Sequence, residues 1–234
     1  MPGEEELRIK AVIPRAHNVK SFRLEPGAGI DFKAGQFLQV TLENNPALKR
    51  YLSISSAPTE KGYIEFTKKL TGSEFSNTLD GIKIGDRVKV KYPFGDFILR
   101  EPFSRIAFIC GGIGITPVRS ICKYMVDSRL NIDAALVYAN HTVNDIVFRE
   151  DFAAMQEEYP RLKVVHVLSE PAPGFKSYTG YISSQVIKEE IPDYAERKFY
   201  LCGPPAMVGA MQKILVEELA LSRANIITEN FQGY

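Results

Sequence analysis

The hydrophobic pattern changes near residue 102, and the change divides the chain into two parts that favour different fold classes. Before this point, short runs rich in β-branched and aromatic residues are separated by Gly, Pro and Asn. Six runs have the composition of strands: 7–13, 21–24, 37–43, 51–55, 63–69 and 87–91. Short strands with frequent turns predict a small antiparallel β-barrel over residues 1–102, with one helical turn at 73–79.

After residue 102, apolar strands alternate with amphipathic helices. Strands are predicted at 105–110, 134–139, 163–168 and 198–202, with a candidate fifth strand at 225–228. Apolar residues recur at helical spacing within 118–125 and 207–219. This alternation predicts a doubly wound parallel α/β domain over residues 103–234, and a sheet of this type binds ligands at the carboxyl ends of its strands.

The composition is that of a globular protein without a nucleic-acid or membrane partner. The 234 residues suffice for two medium domains, and a hydrophobic fraction of 45% supports a packed core. A formal net charge of +1 with no dense basic stripe gives nucleic-acid binding little electrostatic support. No apolar run reaches the ~18 residues that a membrane helix needs, and the first six residues are acidic rather than signal-like. We therefore expect a cytoplasmic protein with no membrane span.

The three cysteines, Cys110, Cys122 and Cys202, are scattered rather than paired in a Cys-x-x-Cys motif. Iron–sulfur clusters usually take four cysteine ligands. We therefore expect no metal site and no disulfide framework in this chain, so that any iron–sulfur centre would belong to a partner.

A glycine-rich loop follows the first strand of the α/β part. Gly111, Gly112 and Gly114 come directly after the strand, and Pro117 stands where a first helical position is expected. Glycines let backbone N–H groups approach a ligand, and a helix N-terminus attracts a pyrophosphate. The loop is consistent with dinucleotide binding and equally with a tight strand-to-helix turn that binds nothing.

A second unusual loop, 202–207, also ends a strand and opens a helix. Its sequence is Cys-Gly-Pro-Pro-Ala-Met, and either proline suits the first turn of the helix. Cys202 would lie at the mouth of the same crevice. The alternative is a small buried thiol without a chemical role.

Two segments of the barrel part are suited to phosphate. The segment 50–58 combines Arg50 with several hydroxyls, and arginine binds phosphate bidentately. The segment 72–79 places Ser73, Ser76 and Asn77 at a helix start. Each segment alone could equally be a charged strand end or an ordinary helix cap.

Taken together, these segments resemble the ferredoxin–NADP reductase superfamily over essentially the whole chain. The motifs that carry the resemblance occur in the family's order: Arg50-x-x-Ser53, Gly72…Ser76-Asn77, 93–97 (Pro-Phe-Gly-Asp-Phe), 111–117 and 202–207. The resemblance implies an FAD-binding barrel, an NAD(P)H-binding domain and hydride transfer from nicotinamide C4 to flavin N5.

The resemblance also implies roles for individual residues. Ser53 would reach flavin N5, Cys202 would lie beside the nicotinamide, and Glu229 would support proton movement; Glu229 could instead be a surface charge. Phe231 would stack on the flavin until nicotinamide displaces it, or would pack in the core. The residues implied for FAD are Arg50, Tyr51, Leu52, Ser53, Thr67, Lys69, Gly72, Ser76, Asn77 and Thr78. Those implied for the nicotinamide nucleotide are Gly112, Gly114, Thr116, Pro117, Glu170, Cys202, Gly203 and Pro204.

Two positions refine the expected cofactor chemistry. The family's first motif often has Tyr where this chain has Leu52, so a stacking ring worth ~0.5–1.5 kcal/mol is absent and FAD should be lost more easily. Glu170 would repel a 2′-phosphate and accept from a ribose hydroxyl, which favours NADH, unless Lys176 or Arg149 lies near enough to reverse the preference.

Three functions stay open at this stage. The first is a reductase that passes electrons to a separate acceptor such as ferredoxin, flavodoxin or an oxygenase component. The second is a free-flavin reductase, in which flavin is a substrate that dissociates. The third is an electron-transfer subunit of a larger complex.

Overall fold

The computed structural model describes residues 3–27, 31–100 and 102–229, and within them the chain forms two six-stranded sheets. The first sheet is wholly antiparallel and the second wholly parallel, in agreement with the predicted fold class. The first sheet ends at Phe94 and the second begins at Arg105.

The antiparallel sheet closes into a barrel. Its strands follow the order β4-β3-β6-β1-β2-β5, and an Ile54–Phe66 bridge joins the two edge strands. Alternate residues point inward, as Leu38 and Val40 do in β3, and they form one apolar core. The strands are β1 Gly3–Ala16, β2 Val19–Leu24, β3 Phe37–Thr41, β4 Lys49–Ser53, β5 Ile64–Lys69 and β6 Arg87–Phe94.

One short helix, α1 (Glu74–Asp80), covers an end of the barrel. The Ser73 side chain accepts a hydrogen bond from the Ser76 N–H and begins the helix. Phe75 and Leu79 are buried in the barrel core, which fixes the helix against the sheet.

The parallel sheet has the order β10-β9-β8-β7-β11-β12, with helices on both faces. The chain runs outward from β7 through β10 and then returns to the other side of β7, so the strand order reverses beside β7. The strands are β7 Arg105–Gly111, β8 Asp133–Asn140, β9 Leu162–Leu168, β10 Tyr178–Thr179, β11 Lys198–Cys202 and β12 Ile226–Glu229. The helices are α2 Ile115–Asp127, α3 Arg149–Glu158, α4 Ser184–Glu190 and α5 Pro205–Lys213, with a π-helical turn at Ile214–Glu218.

The predicted strands all occur, with ends displaced by a few residues, and the details that differ have local causes. Helix α2 begins at Ile115 rather than at Pro117, because a 3₁₀ turn at Gly112–Gly114 leads directly into it. The two-residue strand β10 has no pattern long enough to be read from the sequence. Among the described residues, no helix is both long and apolar enough to cross a membrane.

Candidate functional site

A cavity of about 680 Å³ lies at the carboxyl edge of the parallel sheet, where the strand order reverses. Its wall combines both domains: the loops after β7, β8 and β11 form one side, and barrel residues complete it. The lining includes Gly111, Gly112, Ile113, Asn140, His141, Pro204 and Met207 from the α/β domain, with His17, Val19 and Lys69 from the barrel.

The glycine loop is shaped by close packing against the second loop. Gly112 has φ +51°, a conformation that favours glycine, and lies on the cavity wall. A Cβ on Gly114 would lie 2.5 Å from the Cys202 carbonyl oxygen and 2.6 Å from Gly203 Cα. The absence of a side chain at Gly114 therefore lets the two loops touch.

The other two residues predicted in this loop are buried beneath the cavity wall. Thr116 and Pro117 lie in the first turn of α2, and the Thr116 hydroxyl donates to the Ile113 carbonyl at 3.1 Å. The Thr116 hydroxyl is therefore used within the turn that leads into α2.

Cys202 ends β11 at the base of the second loop and is fully buried. Its register partners on the neighbouring strands are Cys110 and Glu229. Burial raises the pKa of the Cys202 thiol well above its ordinary value, and the Cys110 thiol and Glu229 carboxyl act in the same direction. Cys202 is therefore a neutral thiol at physiological pH and is unsuited to act as a nucleophile.

Glu229, at the end of β12, has a carboxyl whose pKa is shifted towards neutral pH. Burial, with a contribution from the Asp96 carboxylate, raises the pKa of the Glu229 carboxyl to about 7. A carboxyl in this range can hold or release a proton at physiological pH, as proton-transfer groups do.

Ser53 ends β4 on the barrel side, and its hydroxyl oxygen makes no hydrogen bond to the described residues. The residue is 3% exposed, and within the described part of the chain Oγ has no hydrogen-bond partner. Buried hydroxyls are nearly always paired, so this one has room for a further hydrogen-bond partner. A ring nitrogen of a bound flavin would supply that partner, so the residue fits the group.

Arg50 and Lys68 lie together near the start of α1. The Arg50 guanidinium lies 5.4 Å from the centre of the Phe75 ring, and no carboxylate within the described residues pairs with it. The pKa of Lys68 is lowered first by burial and then by the Arg50 charge. Two cations close enough to interact, neither of them in an ion pair with a carboxylate of the described residues, fit a diphosphate.

The remaining residues predicted for FAD divide into three groups. Thr67 and Ser76 are buried and hydrogen-bonded internally, and the Asn77 amide donates to the Gly72 carbonyl at 3.2 Å. Lys69 lies on the wall of the cavity. Thr78 is half-buried on α1.

Tyr51 and Leu52 point to opposite sides of β4. Tyr51 is 51% exposed and packs edge-on against Phe37 and Phe94 on the outside of the barrel. Leu52 is buried within the barrel core.

Glu170 lies beside the cavity rather than in its lining. It is exposed, and its carboxylate is 3.1 Å from His141 Nε2, an atom of a residue on the wall. Lys176 and Arg149 are absent from the cavity lining within the described residues. Phe231 lies outside the described residues.

Asn140 was missed by the sequence reasoning. It ends β8 on the cavity wall and is 7% exposed, and neither amide atom has a hydrogen-bond partner within the described residues. The available signal was a polar residue at the end of an apolar strand, next to a crevice where ligands bind.

Comparison with known proteins agrees with this two-part site. Residues 6–98 match the oxidoreductase FAD-binding domain, and residues 108–213 match the oxidoreductase NAD-binding domain. An NADH-cytochrome b5 reductase 1 of Aspergillus terreus is 32% identical over 232 residues, which cover 92% of this chain and 77% of the relative. The chain belongs to the ferredoxin–NADP reductase superfamily.

Other members show how the same unit is used within longer chains. A glycine betaine monooxygenase reductase subunit of Chromohalobacter salexigens is 28% identical over 226 residues, covering 91% of this chain and 60% of the relative. The crystal structure of an Amycolatopsis cytochrome P450 reductase superposes with a TM-score of 0.85 at 25% identity, covering all of this chain and 72% of that one. This superfamily member is accordingly an oxidoreductase whose cofactors are FAD and NAD(P)H.

Proposed function

We propose that this protein is an NADH-preferring flavin reductase that passes electrons to a separate redox protein. The observation that carries the proposal is the cavity at the carboxyl edge of the parallel sheet, whose wall joins two strand-end loops to barrel residues. A dinucleotide seated on the loops would be held against the FAD-binding domain, which is the arrangement that transfer between two rings requires.

The residues of the barrel would hold the flavin, which when bound supplies the ring that accepts hydride and releases electrons singly or in pairs. Ser53 would donate to or accept from a ring nitrogen, and Arg50 with Lys68 would neutralise the diphosphate. Gly72, Ser76, Asn77 and Thr78 would shape the loop and helix beside it.

The α/β domain would orient the nicotinamide and manage protons. Gly112, Gly114 and Gly203 would bring backbone groups close to the nucleotide, while the neutral Cys202 would pack beside it. Glu229, with a pKa near neutrality, would hold or release a proton at this edge of the sheet.

The preference for NADH rests on the charge at the end of β9. The Glu170 carboxylate, which contacts His141, lies beside the cavity. There it would repel a 2′-phosphate and accept a hydrogen bond from a 2′-hydroxyl. The relative from Aspergillus terreus is named an NADH-cytochrome b5 reductase, in line with this proposal.

The electron acceptor would be a separate protein. The relatives include a glycine betaine monooxygenase reductase subunit and an NADH-cytochrome b5 reductase, and these names support the proposal. An oxygenase component, a ferredoxin or a flavodoxin would take this place here. The cytoplasmic location stays a prediction.

The deciding experiment is an anaerobic visible spectrum of the purified protein, recorded before and after addition of NADH to one sample and of NADPH to another. We expect a flavin band that NADH bleaches faster than NADPH, with FAD as the flavin released by acid. A colourless protein that takes up no flavin would refute the proposal. A colourless protein that catalyses reduction of added flavin would point to a free-flavin reductase instead.

A further inference from the structure

Six charged side chains form an ion cluster across the boundary between the two domains. The barrel contributes Arg15, Arg23, Glu60 and Glu65, and the α/β domain contributes Arg119 and Asp151. We call this set the interdomain ion cluster. None of its members lines the cavity at the carboxyl edge of the sheet.

Arg119, at the centre of the cluster, is 5% exposed and uses every nitrogen of its guanidinium. It binds both carboxylate oxygens of Glu60, and two of its nitrogens donate to Asp151 Oδ2 at 2.8 and 3.0 Å. Nη1 also donates to the Ser55 carbonyl at 3.0 Å. The guanidinium fork therefore binds both domains at the same time.

The next residue along helix α2 repeats the connection. Ser120 is fully buried, and its hydroxyl donates to the Ser56 carbonyl at 2.7 Å. Two consecutive residues of one helix thus hold two consecutive carbonyls of the barrel, immediately after β4.

The barrel side of the cluster is itself rigid. Glu65 is fully buried and accepts from Arg15 at 3.1 Å, from Arg23 at 2.9 Å and from the Ser55 hydroxyl at 3.0 Å. Ser55 is therefore held by its carbonyl from one domain and by its hydroxyl from the other.

An aromatic ring completes the cluster. Phe148 is buried in a left-handed conformation with φ 61°, directly before helix α3. The Arg15 and Arg119 guanidiniums lie 4.9 and 5.5 Å from its ring centre, one from each domain.

The charged forms of Glu60 and Arg119 are each stabilised by the partners of these side chains. Burial alone would raise the pKa of Glu60, but hydrogen bonds and the charge of Arg119 hold that pKa below its ordinary value. Burial opposes the charge of Arg119, yet Glu60 and Asp151 raise the pKa of the guanidinium overall.

The position of the cluster connects it to the proposed chemistry. Helix α2 begins directly after the glycine loop, and Arg119 lies about one turn further along. The Ser55 and Ser56 carbonyls come two and three residues after Ser53, whose hydroxyl has no partner in the part of the chain that the structure describes. A single helix therefore links the nucleotide loop at its N-terminus to the strand end that carries Ser53.

We propose that Arg119 is a positioning residue, which fixes the distance and angle between the nucleotide on the glycine loop and the flavin at Ser53. The inference rests on the proposed function for its chemical consequence. Replacing a buried ion pair by apolar groups is often neutral or stabilising, so stability alone does not account for such a cluster. The need for a fixed geometry does account for the cluster, because a misplacement of ~1 Å between reacting groups costs on the order of 10²-fold in rate.

The test compares Arg119→Lys with Arg197→Lys. Arg197 is an equally buried arginine that donates to the Ile106 and Asp133 carbonyls and to two carboxylates, all within the α/β domain. Both variants keep the positive charge but replace the planar guanidinium with an ammonium group, so they should lose comparable free energy of unfolding. A third variant, Ser120→Ala, removes only the bond to the Ser56 carbonyl.

Two readouts separate positioning from general destabilisation. In anaerobic stopped-flow reduction by NADH, we expect Arg119→Lys to lower the limiting rate about 10- to 100-fold while the Kd for NADH stays within about twofold. Ser120→Ala should lower the rate less, in the same direction, and Arg197→Lys should leave it near that of the parent. Hydrogen exchange should accelerate in the 53–57 segment of Arg119→Lys, with and without flavin, and stay unchanged there in Arg197→Lys.

The outcomes distinguish this inference from the proposed function. If the parent protein is not bleached by NADH, the proposed function fails, while hydrogen exchange still tests whether Arg119 fixes the segment. If Arg119→Lys exchanges no faster there than Arg197→Lys, or if both variants slow reduction equally, the positioning role is wrong.

Discussion

At the scale of single residues, the site is marked by buried polar groups that have no partner among the described residues. The Ser53 hydroxyl is one of them, and burying a polar group unpaired costs ~1–3 kcal/mol. Such a cost is tolerated when the group acts on a ligand, which makes Ser53 the residue whose removal is most informative.

Ser53→Ala should therefore slow flavin reduction without lowering the thermal stability of the protein. We expect a loss of roughly 10-fold in the limiting rate of reduction by NADH, with the melting temperature of the flavin-free protein unchanged or raised, because an unsatisfied hydroxyl is removed. Ser183→Ala is the contrast: it removes the N-cap of α4, and should cost about 1 kcal/mol in unfolding free energy with no effect on rate. A full-rate Ser53→Ala protein would remove Ser53 from the chemistry.

Glu229 should give the protein a pH dependence near neutrality. Its folded pKa of about 7 lies above the unfolded value of 4.5, so its contribution to stability is complete below pH 4.5 and is lost as pH rises towards 7. Glu229→Gln removes the titrating carboxyl, so the variant does not show this loss. At pH 8 its free energy of unfolding should exceed that of the parent by about 1–2 kcal/mol, after allowance for the partial exposure of the Glu229 side chain. Urea unfolding at pH 4.5 and pH 8 measures the difference, and equal changes at both pH values would contradict the raised pKa.

Glu170 should control the choice of nucleotide. Glu170→Arg replaces a carboxylate beside the cavity with a cation that suits a 2′-phosphate, so the ratio of kcat/KM for NADPH to that for NADH should rise at least about 10-fold. Glu157→Arg makes the same charge change on the exposed face of α3 and should leave the ratio unaltered. An unchanged ratio in Glu170→Arg would place the discrimination elsewhere on the cavity wall.

At the scale of elements, the two strand-end loops act as one unit because Gly114 lets them touch. The carbonyl of Cys202 and Cα of Gly203 occupy the space where a side chain on Gly114 would lie. Both neighbours are backbone atoms, which cannot turn aside as a flexible side chain would.

Gly114→Ala should thus separate the loops and damage both packing and nucleotide binding. We expect a loss of ~2–4 kcal/mol in unfolding free energy and a marked rise in the Kd for NADH, measured by urea unfolding and by titration. Gly209→Ala is the matched control, since nothing lies within 4 Å of its Cβ and it occupies helix α5. That change should stabilise the protein by ~0.5–1 kcal/mol. Similar behaviour of the two variants would show that the loops tolerate separation.

The elements themselves were largely readable from the sequence, whereas the connections between them were not. Strands such as β3 and β7 show an alternating or continuous apolar pattern, and the barrel and α/β domain follow from that pattern. Strand β10 is two residues long and carries no period. Whether Thr116 faces a ligand or its own helix depends on the start of α2, which the 3₁₀ turn before it displaces.

Long-range polar contacts were the least predictable part of the site. Arg119 donates hydrogen bonds to Glu60 and Asp151, which lie 59 and 32 residues away in the sequence, and no spacing rule links such positions. Asn140 was missed because a single polar residue at a strand end is a weak and common signal, and the lack of a partner for its amide among the described residues is evident only when its neighbours are known.

At the scale of the whole molecule, the two domains share a packed boundary. The Tyr200 hydroxyl donates to the Ile98 carbonyl at 3.0 Å, and the rings of Tyr200 and Phe97 meet edge-to-face at 5.3 Å. Val19 and Ala34 of the barrel part belong to the core cluster of the α/β domain. Together with the interdomain ion cluster, these contacts should make the domains unfold in one transition.

If the domains unfold together, flavin bound to the barrel should stabilise the entire chain. FAD at 100 times its Kd adds ~2.7 kcal/mol to the free energy of unfolding, which corresponds to a rise of roughly 5–10 °C in Tm for a protein of this size. The measurement is a thermal scan of the flavin-free protein with increasing FAD, followed in the far-ultraviolet so that both sheets are observed. Riboflavin, which lacks the diphosphate proposed to bind Arg50 and Lys68, is the control and should raise Tm much less. Two separate transitions, with only one shifted by FAD, would show that the boundary does not couple the domains, and the positioning role of Arg119 would then have no rigid frame to act through.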